Sequence, residues 1–143
     1  MAILVTGGAG YIGAITNRVL QDQGHDTVIF DNLYRGHKEA IRNTPFIHGD
    51  LRNKDDLKKA FETYQIDAVI HSAALALAGE SVQKPQEYYE VNVEGSHNLL
   101  EAMRTHGCTT IVFSSTCAVY GTPAAVPVTE KTPIHPESPY GVT

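Results

Sequence analysis

The stretch of this sequence best suited to hold a ligand is a cluster of glycines directly after an apolar run. The run 3–5 is typical of a strand buried on both faces, and the glycines after it match G-x-x-G-x-x-G and, in a second frame, G-x-G-x-x-G. Such glycines permit a tight strand-to-helix turn and let a pyrophosphate approach the backbone and the helix N-terminus. The segment therefore predicts a dinucleotide site. Its candidate contact residues are Gly7, Gly10, Tyr11, Ile12 and Gly13.

An acidic residue lies where this kind of site requires one. Asp31 ends a second apolar run, about 20 residues after the glycines, where a carboxylate can accept hydrogen bonds from both ribose hydroxyls. Its negative charge would repel a 2′-phosphate, so the sequence favours NAD over NADP, although Arg35 would offer such a phosphate a cation. The alternative is that Asp31 only begins a loop before Asn32.

Length and composition limit the classes of protein to consider. The 143 residues suit one domain, and the formal net charge of −5 leaves no basic stripe for nucleic acid. No apolar stretch approaches the roughly 20 residues of a membrane helix, and Met1 leads straight into the first strand, so we expect a soluble, cytoplasmic protein. The two cysteines and the scattered histidines lack ligand spacing and predict no metal site.

Predicted strands and helices alternate along the chain. The strands are 3–5, 27–31, 46–47, 68–71 and 111–113, and the longer helices are 11–23, 54–64 and 84–106. The pattern predicts an α/β fold: a doubly wound, Rossmann-like parallel sheet in the order 3-2-1-4-5, with ligands at the carboxyl ends of its strands. We expect residues 1–143 to form one incomplete NAD-binding domain that stops before a sixth strand and a C-terminal substrate domain.

Two of these helices show apolar stripes, which are typical of buried helix faces. The stripe of the first helix consists of Ile12, Ile15, Val19 and Leu20. The stripe of the longest helix consists of Val91, Leu99, Ala102 and Met103. Asn53 is placed to cap the N-terminus of the helix between them, and a single helical turn is expected within 32–45.

Small or acidic residues follow the third and fourth strands. Asp50, next to Leu51, is placed either to bind the adenine amino group or only to cap a turn of its loop. After the fourth strand, Ser72, Ala73 and Ala74 would let a cofactor pass close to the backbone. His71 before them is interpreted as a buried, hydrogen-bonded core histidine.

Hydroxyl groups follow the fifth strand. Ser114 and Thr116 lie at its end, and Tyr140 follows a proline that suits the first turn of a helix. The segment 117–139 between them holds five prolines, too many for a helix or a central strand. It is either a surface loop covering the edge of the sheet or a loop that faces substrate.

Five segments carry a family pattern. They are T-G-G-A-G-Y-I-G at 6–13, D-N at 31–32, G-E-S-V-Q-K-P at 79–85, S-S-T-C-A-V-Y-G at 114–121 and S-P-Y-G at 138–141. Together they resemble the N-terminal part of the extended short-chain dehydrogenase/reductases, and within that family the UDP-hexose 4-epimerases. The related dehydratases carry an Asp-Glu pair where this sequence has Cys117 and Ala118, which favours the epimerases. Ala76 stands where many epimerases have lysine.

The resemblance implies NAD-dependent epimerisation at C4 of a UDP-hexose, such as UDP-glucose or UDP-galactose, through a transient 4-keto sugar. Tyr140 would take the proton of the 4-hydroxyl, Thr116 would share that hydrogen bond, and Asn32 and Ser114 would join the cofactor contacts. In the family, a lysine four residues after the tyrosine supports its ionised form, and a C-terminal half binds the UDP-sugar. Both fall beyond residue 143, so we expect the isolated chain to be inactive.

Two other functions stay open at this point, a non-catalytic NAD-binding module and an NAD-dependent sugar-nucleotide dehydratase or decarboxylase. Relatives in the family commonly pair through two helices per subunit, which implies that the helix 84–106 contributes to a homodimer. The outer edge of the fifth strand would also be unpaired. We therefore expect the chain to dimerise or self-associate.

Overall fold

A five-stranded parallel sheet organises the computed structural model, which describes residues 1–143. The strands are β1 (Ala2–Thr6), β2 (Thr27–Asp31), β3 (Phe46–His48), β4 (Ile66–His71) and β5 (Thr110–Phe113). They lie in the order β3-β2-β1-β4-β5, and Val5 at the centre of the sheet pairs with Ile29 on one side and Ile70 on the other. The predicted fold class and strand order are confirmed. Four strands are longer than predicted by one or two residues.

Helices connect the strands on both faces of the sheet. They are α1 (Tyr11–Asp22), α2 (Lys38–Ile41), α3 (Lys54–Thr63), α4 (Ala78–Gln83), α5 (Pro85–Tyr88), α6 (Gly95–Thr105) and α7 (Pro139–Val142). A 3-10 turn, Cys117–Tyr120, begins the proline-rich segment. Asn53 caps α3 as predicted, since its side chain accepts a hydrogen bond from the Asp55 amide at 3.0 Å. No helix is both long enough and apolar enough to cross a membrane.

The predicted single helix over 84–106 is wrong in detail. The structure divides this stretch into α5, a π-helical turn over Tyr89–Glu94, and α6. A separate short helix, α4, precedes α5. Pro85 starts α5 because its missing N–H costs nothing in a first helical turn. Hydrophobic periodicity cannot detect α4, which has six residues, or a π turn, which shifts the period within a continuous helix.

The main core lies between one face of the sheet and the helices α3 and α6. Strand residues Leu4 and Val69 pack there with Leu57 of α3 and with Leu99 and Met103 of α6, all 3 % exposed or less. Burying each such side chain stabilises the fold by about 1.5–3 kcal/mol. The predicted apolar stripe of the longest helix is thereby confirmed at Leu99 and Met103.

The first helix does not bury its predicted stripe. Three of the stripe residues are about half exposed: Ile12 at 57 %, Ile15 at 49 % and Val19 at 49 %. The buried positions of α1 are Gly13 and Asn17. A Cβ atom at Gly13 would lie 2.7 Å from the Gly7 carbonyl carbon, and the Asn17 amide donates to the Thr44 hydroxyl at 3.0 Å. The helix therefore packs through its glycine and asparagine side.

Candidate functional site

The turn between β1 and α1 brings main chain from two strands close together. Gly7 has φ +70°, and a Cβ atom there would lie 2.8 Å from both the Cα and the N of Ala73, which follows β4. Gly10 precedes α1, whose first turn has no side-chain cap and no acidic residue. The N–H groups of that turn are therefore available to an anion.

One cleft collects most of the residues predicted to bind a dinucleotide. Those that line this first cleft are Gly7, Gly10, Asp31, Asn32, Asp50, Leu51, Ser72, Ala73 and Ala74. The remaining predicted contacts near the glycines, Tyr11, Ile12 and Gly13, do not line it. Tyr11 is 81 % exposed, so this part of the chain can contribute main-chain groups of the first helical turn rather than side chains.

Asp31 is held in a fixed orientation at the end of β2. Its Oδ2 accepts a hydrogen bond from the Ala9 amide at 3.1 Å, and its Oδ1 accepts one from the Leu33 amide at 2.7 Å. The side chain is buried yet lines the first cleft. Each carboxylate oxygen keeps a further lone pair. Asp31 can therefore accept additional hydrogen bonds from ligand hydroxyls without reorienting.

Asp50 is already engaged by neighbouring side chains. Its Oδ1 accepts from the Arg52 amide and Nε, both at 2.9 Å, and its Oδ2 accepts from Arg52 Nη2 at 2.7 Å and from Asn32 Nδ2 at 2.9 Å. These bonds, chiefly those from Arg52, hold the pKa of the carboxyl well below its usual range. Asp50 thus caps its turn, which was the simpler of the two interpretations, and an adenine contact stays a prediction.

A second cleft lies at the ends of β4 and β5 and shares Ser72, Ala73 and Ala74 with the first. Ser114, Thr116 and Tyr140 all line it. The structure therefore brings the hydroxyl residues after β5 together with the tyrosine of α7, next to the segment that borders the predicted dinucleotide cleft.

The two hydroxyl groups in the second cleft are positioned by short local helices. Thr116 Oγ1 accepts from the Ala118 amide at 3.2 Å, which leaves its own proton free to donate. Tyr140 lies in the first turn of α7, which Ser138 caps by accepting from the Gly141 amide at 3.1 Å. Its own amide donates to the Ser81 hydroxyl at 3.1 Å. The ring lies edge-on to that of Tyr88, with 6.2 Å between centroids.

Two buried polar residues hold the wall between the clefts. His71 is 3 % exposed, and its Nδ1 and Nε2 lie 2.7 Å from Thr6 Oγ1 and 2.8 Å from Ser96 Oγ. This burial and these two contacts confirm the core-histidine interpretation, and burial lowers the pKa of His71 to about 4. Asn92, in the π turn, accepts from the Leu75 amide at 2.8 Å and donates to the Leu75 carbonyl at 3.0 Å. These bonds fix the segment after β4.

Sequence reasoning did not predict several residues that line the first cleft. They include Tyr34, Arg52, Leu75, Glu87 and Val91. Tyr34 and Arg52 lie in the loops that follow β2 and β3. Their position directly after predicted strands could have identified them as candidates for the cleft. Glu87 and Val91 come from the helical segment after β4, which no strand-end rule identifies. No group of three or more histidine, cysteine, aspartate or glutamate side chains is arranged to hold a metal ion.

The fold and the site together define a Rossmann-type α/β protein. The sheet is parallel and doubly wound, a glycine turn follows β1, an acidic residue ends β2, and the clefts lie at the carboxyl ends of the strands. The family model described as "NAD dependent epimerase/dehydratase family" matches residues 3–143. The chain belongs to this family.

Two curated relatives that match the whole chain are both UDP-glucose 4-epimerases. The UDP-glucose 4-epimerase of Halalkalibacterium halodurans is 52 % identical over 143 residues, which cover 100 % of this chain and 43 % of the relative. The UDP-glucose 4-epimerase of Corynebacterium glutamicum is 45 % identical and is covered to the same 43 %. The chain therefore spans less than half the length of these relatives.

Solved structures show the same relation. The UDP-glucose 4-epimerase of Brucella ovis in complex with NAD superposes with a TM-score of 0.95 at 43 % identity, covering 99 % of this chain and 43 % of that one. The enzyme of Bifidobacterium longum in complex with NAD+ and UDP superposes with a TM-score of 0.94 at 37 % identity, covering 99 % and 45 %.

Proposed function

We propose that this chain is the NAD-binding part of a UDP-hexose 4-epimerase, acting on UDP-glucose or UDP-galactose in galactose metabolism in the cytoplasm. The observation that carries the proposal is the continuity of the two clefts. The first holds the glycine turn and Asp31, the second holds Thr116 and Tyr140, and they share Ser72, Ala73 and Ala74. A cofactor with its adenosine in the first cleft would present its other end to the hydroxyl groups of the second.

The residues present fit a dinucleotide. The absence of a side chain at Gly7 allows main chain from β1 and β4 to meet at the base of the cleft, and the uncapped first turn of α1 suits a diphosphate. Asp31 is oriented to accept the ribose hydroxyls. The proposed cofactor contacts are Gly7, Gly10, Tyr11, Ile12, Gly13, Asp31, Asn32, Asp50, Leu51, Ser72, Ala73, Ala74 and Ser114.

In the proposed reaction, NAD would accept the hydride of the carbon that is epimerised and return it to the other face, so that there is no net oxidation. The phenolate oxygen of Tyr140 takes the proton of the sugar 4-hydroxyl and later returns it. Thr116 donates its hydroxyl proton to the oxygen at C4 of the sugar and so orients the sugar between the two side chains. His71 and Asn92 take no part in the proton transfer. They keep the wall of the second cleft in place through hydrogen bonds with Ser96 and Leu75.

Changing Asp31 to asparagine is expected to weaken NAD binding by at least about tenfold, because the side chain loses its charge and one of its two acceptor oxygens is replaced by an NH2 group, which cannot accept from a ribose hydroxyl. Isothermal titration of the chain with NAD measures the effect. Asp55→Asn, which removes the same charge from an exposed site on α3, is the matched control and is expected to leave NAD affinity unchanged. Equal affinities for the wild type and Asp31→Asn would contradict the assignment of the ribose site.

The isolated chain is expected not to interconvert UDP-galactose and UDP-glucose. The proposal assigns the UDP site, and the lysine that supports the ionised tyrosine, to the part of the relatives that this chain does not span. A coupled assay that detects UDP-glucose formed from UDP-galactose tests this expectation, with a full-length relative as the positive control. Turnover by the isolated chain at a normal enzymic rate would show the assignment to be wrong.

Exposed apolar side chains fit the expected homodimer or self-association. The π turn and α6 present Tyr89, Val93 and Leu100, each 43–48 % exposed, on the helical segment to which the family resemblance assigns subunit pairing. At the open edge of the sheet, β5 presents Val112 at 59 % and Phe113 at 57 % exposure. Covering either surface with a second protein surface would remove apolar area from water.

A further inference from the structure

The loop after β2 is tied to the distant helix α4 by an ion pair. Arg35 Nη2 lies 2.6 Å from Glu80 Oε2, and the two residues are 45 positions apart in the sequence. The same carboxylate oxygen accepts the hydroxyl proton of Tyr88 at 2.9 Å, and Glu80 Oε1 lies 3.5 Å from Lys84 Nζ. The hydrogen bond from Tyr88 and the charges of Arg35 and Lys84 lower the pKa of Glu80. Glu80 is thus an ionised partner for Arg35, and the fully buried Tyr88 holds its carboxylate in place.

Arg35 also lines the first cleft together with Asp31. Its guanidinium carbon lies 5.5 Å from the centroid of the Tyr34 ring. The other arginine that lines this cleft, Arg52, is bound by Asp50 through two side-chain contacts at 2.7 and 2.9 Å. Both arginines of the cleft therefore have carboxylate partners that neutralise them.

We propose that Glu80 reinforces the preference for NAD that Asp31 provides, because it withholds Arg35 from the 2′ position of the adenosine ribose and so leaves a 2′-phosphorylated dinucleotide without a cation there. A ribose held by Asp31 places its 2′ oxygen beside the loop that follows β2, and an arginine in that loop is the usual partner of a 2′-phosphate. An arginine already paired with a carboxylate offers such a phosphate little net attraction. This inference rests on the proposed NAD site.

The test compares NADP and NAD binding by isothermal titration of the chain. Glu80→Gln keeps an acceptor for Tyr88 but removes the charge that holds Arg35. It is expected to raise NADP affinity by about tenfold, the scale of one charge-assisted hydrogen bond at a partly exposed site, and to leave NAD affinity unchanged. Lys84 keeps a partner in this variant, since its Nζ lies 3.6 Å from Glu87 Oε2. Adding Arg35→Ala to Glu80→Gln is expected to return NADP affinity to the wild-type value.

Two further variants separate charge from contact. Glu101→Gln removes an equal charge from α6, outside the cleft, where Glu101 pairs with Arg104 at 2.9 Å, and it is expected to leave NADP affinity unchanged. Glu80→Asp keeps the charge but shortens the side chain by one methylene, and it is expected to raise NADP affinity by a smaller factor than Glu80→Gln. It also tests the proposal if Glu80→Gln fails to fold.

Several results would overturn the proposal. They are unchanged NADP affinity in both Glu80 variants, an equal gain in Glu101→Gln, and a gain that persists without Arg35. Strong NAD binding by the wild type alongside any of these would leave the proposed cofactor site intact and reject the role of Glu80 alone. A flat NAD titration with folded wild-type chain would instead reject the cofactor site, and this inference with it.

Discussion

Replacing Gly7 with alanine is expected to lower the free energy of unfolding by about 3–5 kcal/mol and to abolish NAD binding. Two costs add at this position. The left-handed φ of +70° disfavours any side chain, and the new Cβ atom would lie 2.8 Å from the main chain of Ala73. Main-chain atoms cannot rotate away as a flexible side chain can, so the glycine turn and the segment after β4 must separate. Urea unfolding and NAD titration measure the two effects.

Gly107 supplies the matched control for this substitution. It has nearly the same backbone angle, φ +73°, but a Cβ atom there would meet nothing within 4 Å. Gly107→Ala is expected to cost only the conformational part, about 1–2 kcal/mol, and to leave NAD binding intact. Similar losses of stability in the two variants would show that close approach of the strands is not what requires glycine at position 7.

Lowering the pH from 6.5 to 4 is expected to remove about 3 kcal/mol of stability through His71 alone. Burial depresses its folded-state pKa to about 4, whereas an unfolded histidine titrates near 6.5. Within this window the unfolded chain binds a proton that the folded chain does not, so stability falls as the pH falls. Urea midpoints at a series of pH values measure the loss.

The contribution of His71 is isolated by substitution. His71→Gln is expected to be less stable than the wild type at pH 7, because Thr6 and Ser96 lose part of their buried hydrogen bonding, but to show a flatter pH dependence between pH 6.5 and 4. His25→Gln, at an exposed position before β2, is expected to keep the wild-type slope. A wild-type slope in His71→Gln would assign the pH dependence to other groups.

The sequence was sufficient to predict what depends on local order along the chain. Alternating strand and helix signals predicted the sheet order, because right-handed crossovers leave few arrangements. The position of Asp31 after its strand placed it at the carboxyl edge, where it lines the first cleft. The capping of α3 by Asn53 followed from a preference that acts over two or three residues.

Features that depend on contacts between distant segments were not predictable in the same way. The apolar stripe of α1 indicated a buried face, yet Gly13 decides how the helix packs because only a glycine fits against the turn at Gly7. The pairing of Arg35 with Glu80 joins residues with no periodic relation in the sequence. These details require knowledge of which surfaces meet, which a pattern along one chain does not contain.

The π-helical turn over Tyr89–Glu94 makes the length of this stretch as important as its composition. A π turn accommodates one residue more than the α-helix it interrupts, and each residue of an α-helix advances the direction of its side chain by about 100°. Loss of a single codon before Asn92 would close the turn into a regular α-helix and change the direction of the Asn92 side chain relative to Leu75, whereas many single substitutions would not. Descendants of this gene should therefore tolerate exchanges in this stretch more readily than deletions.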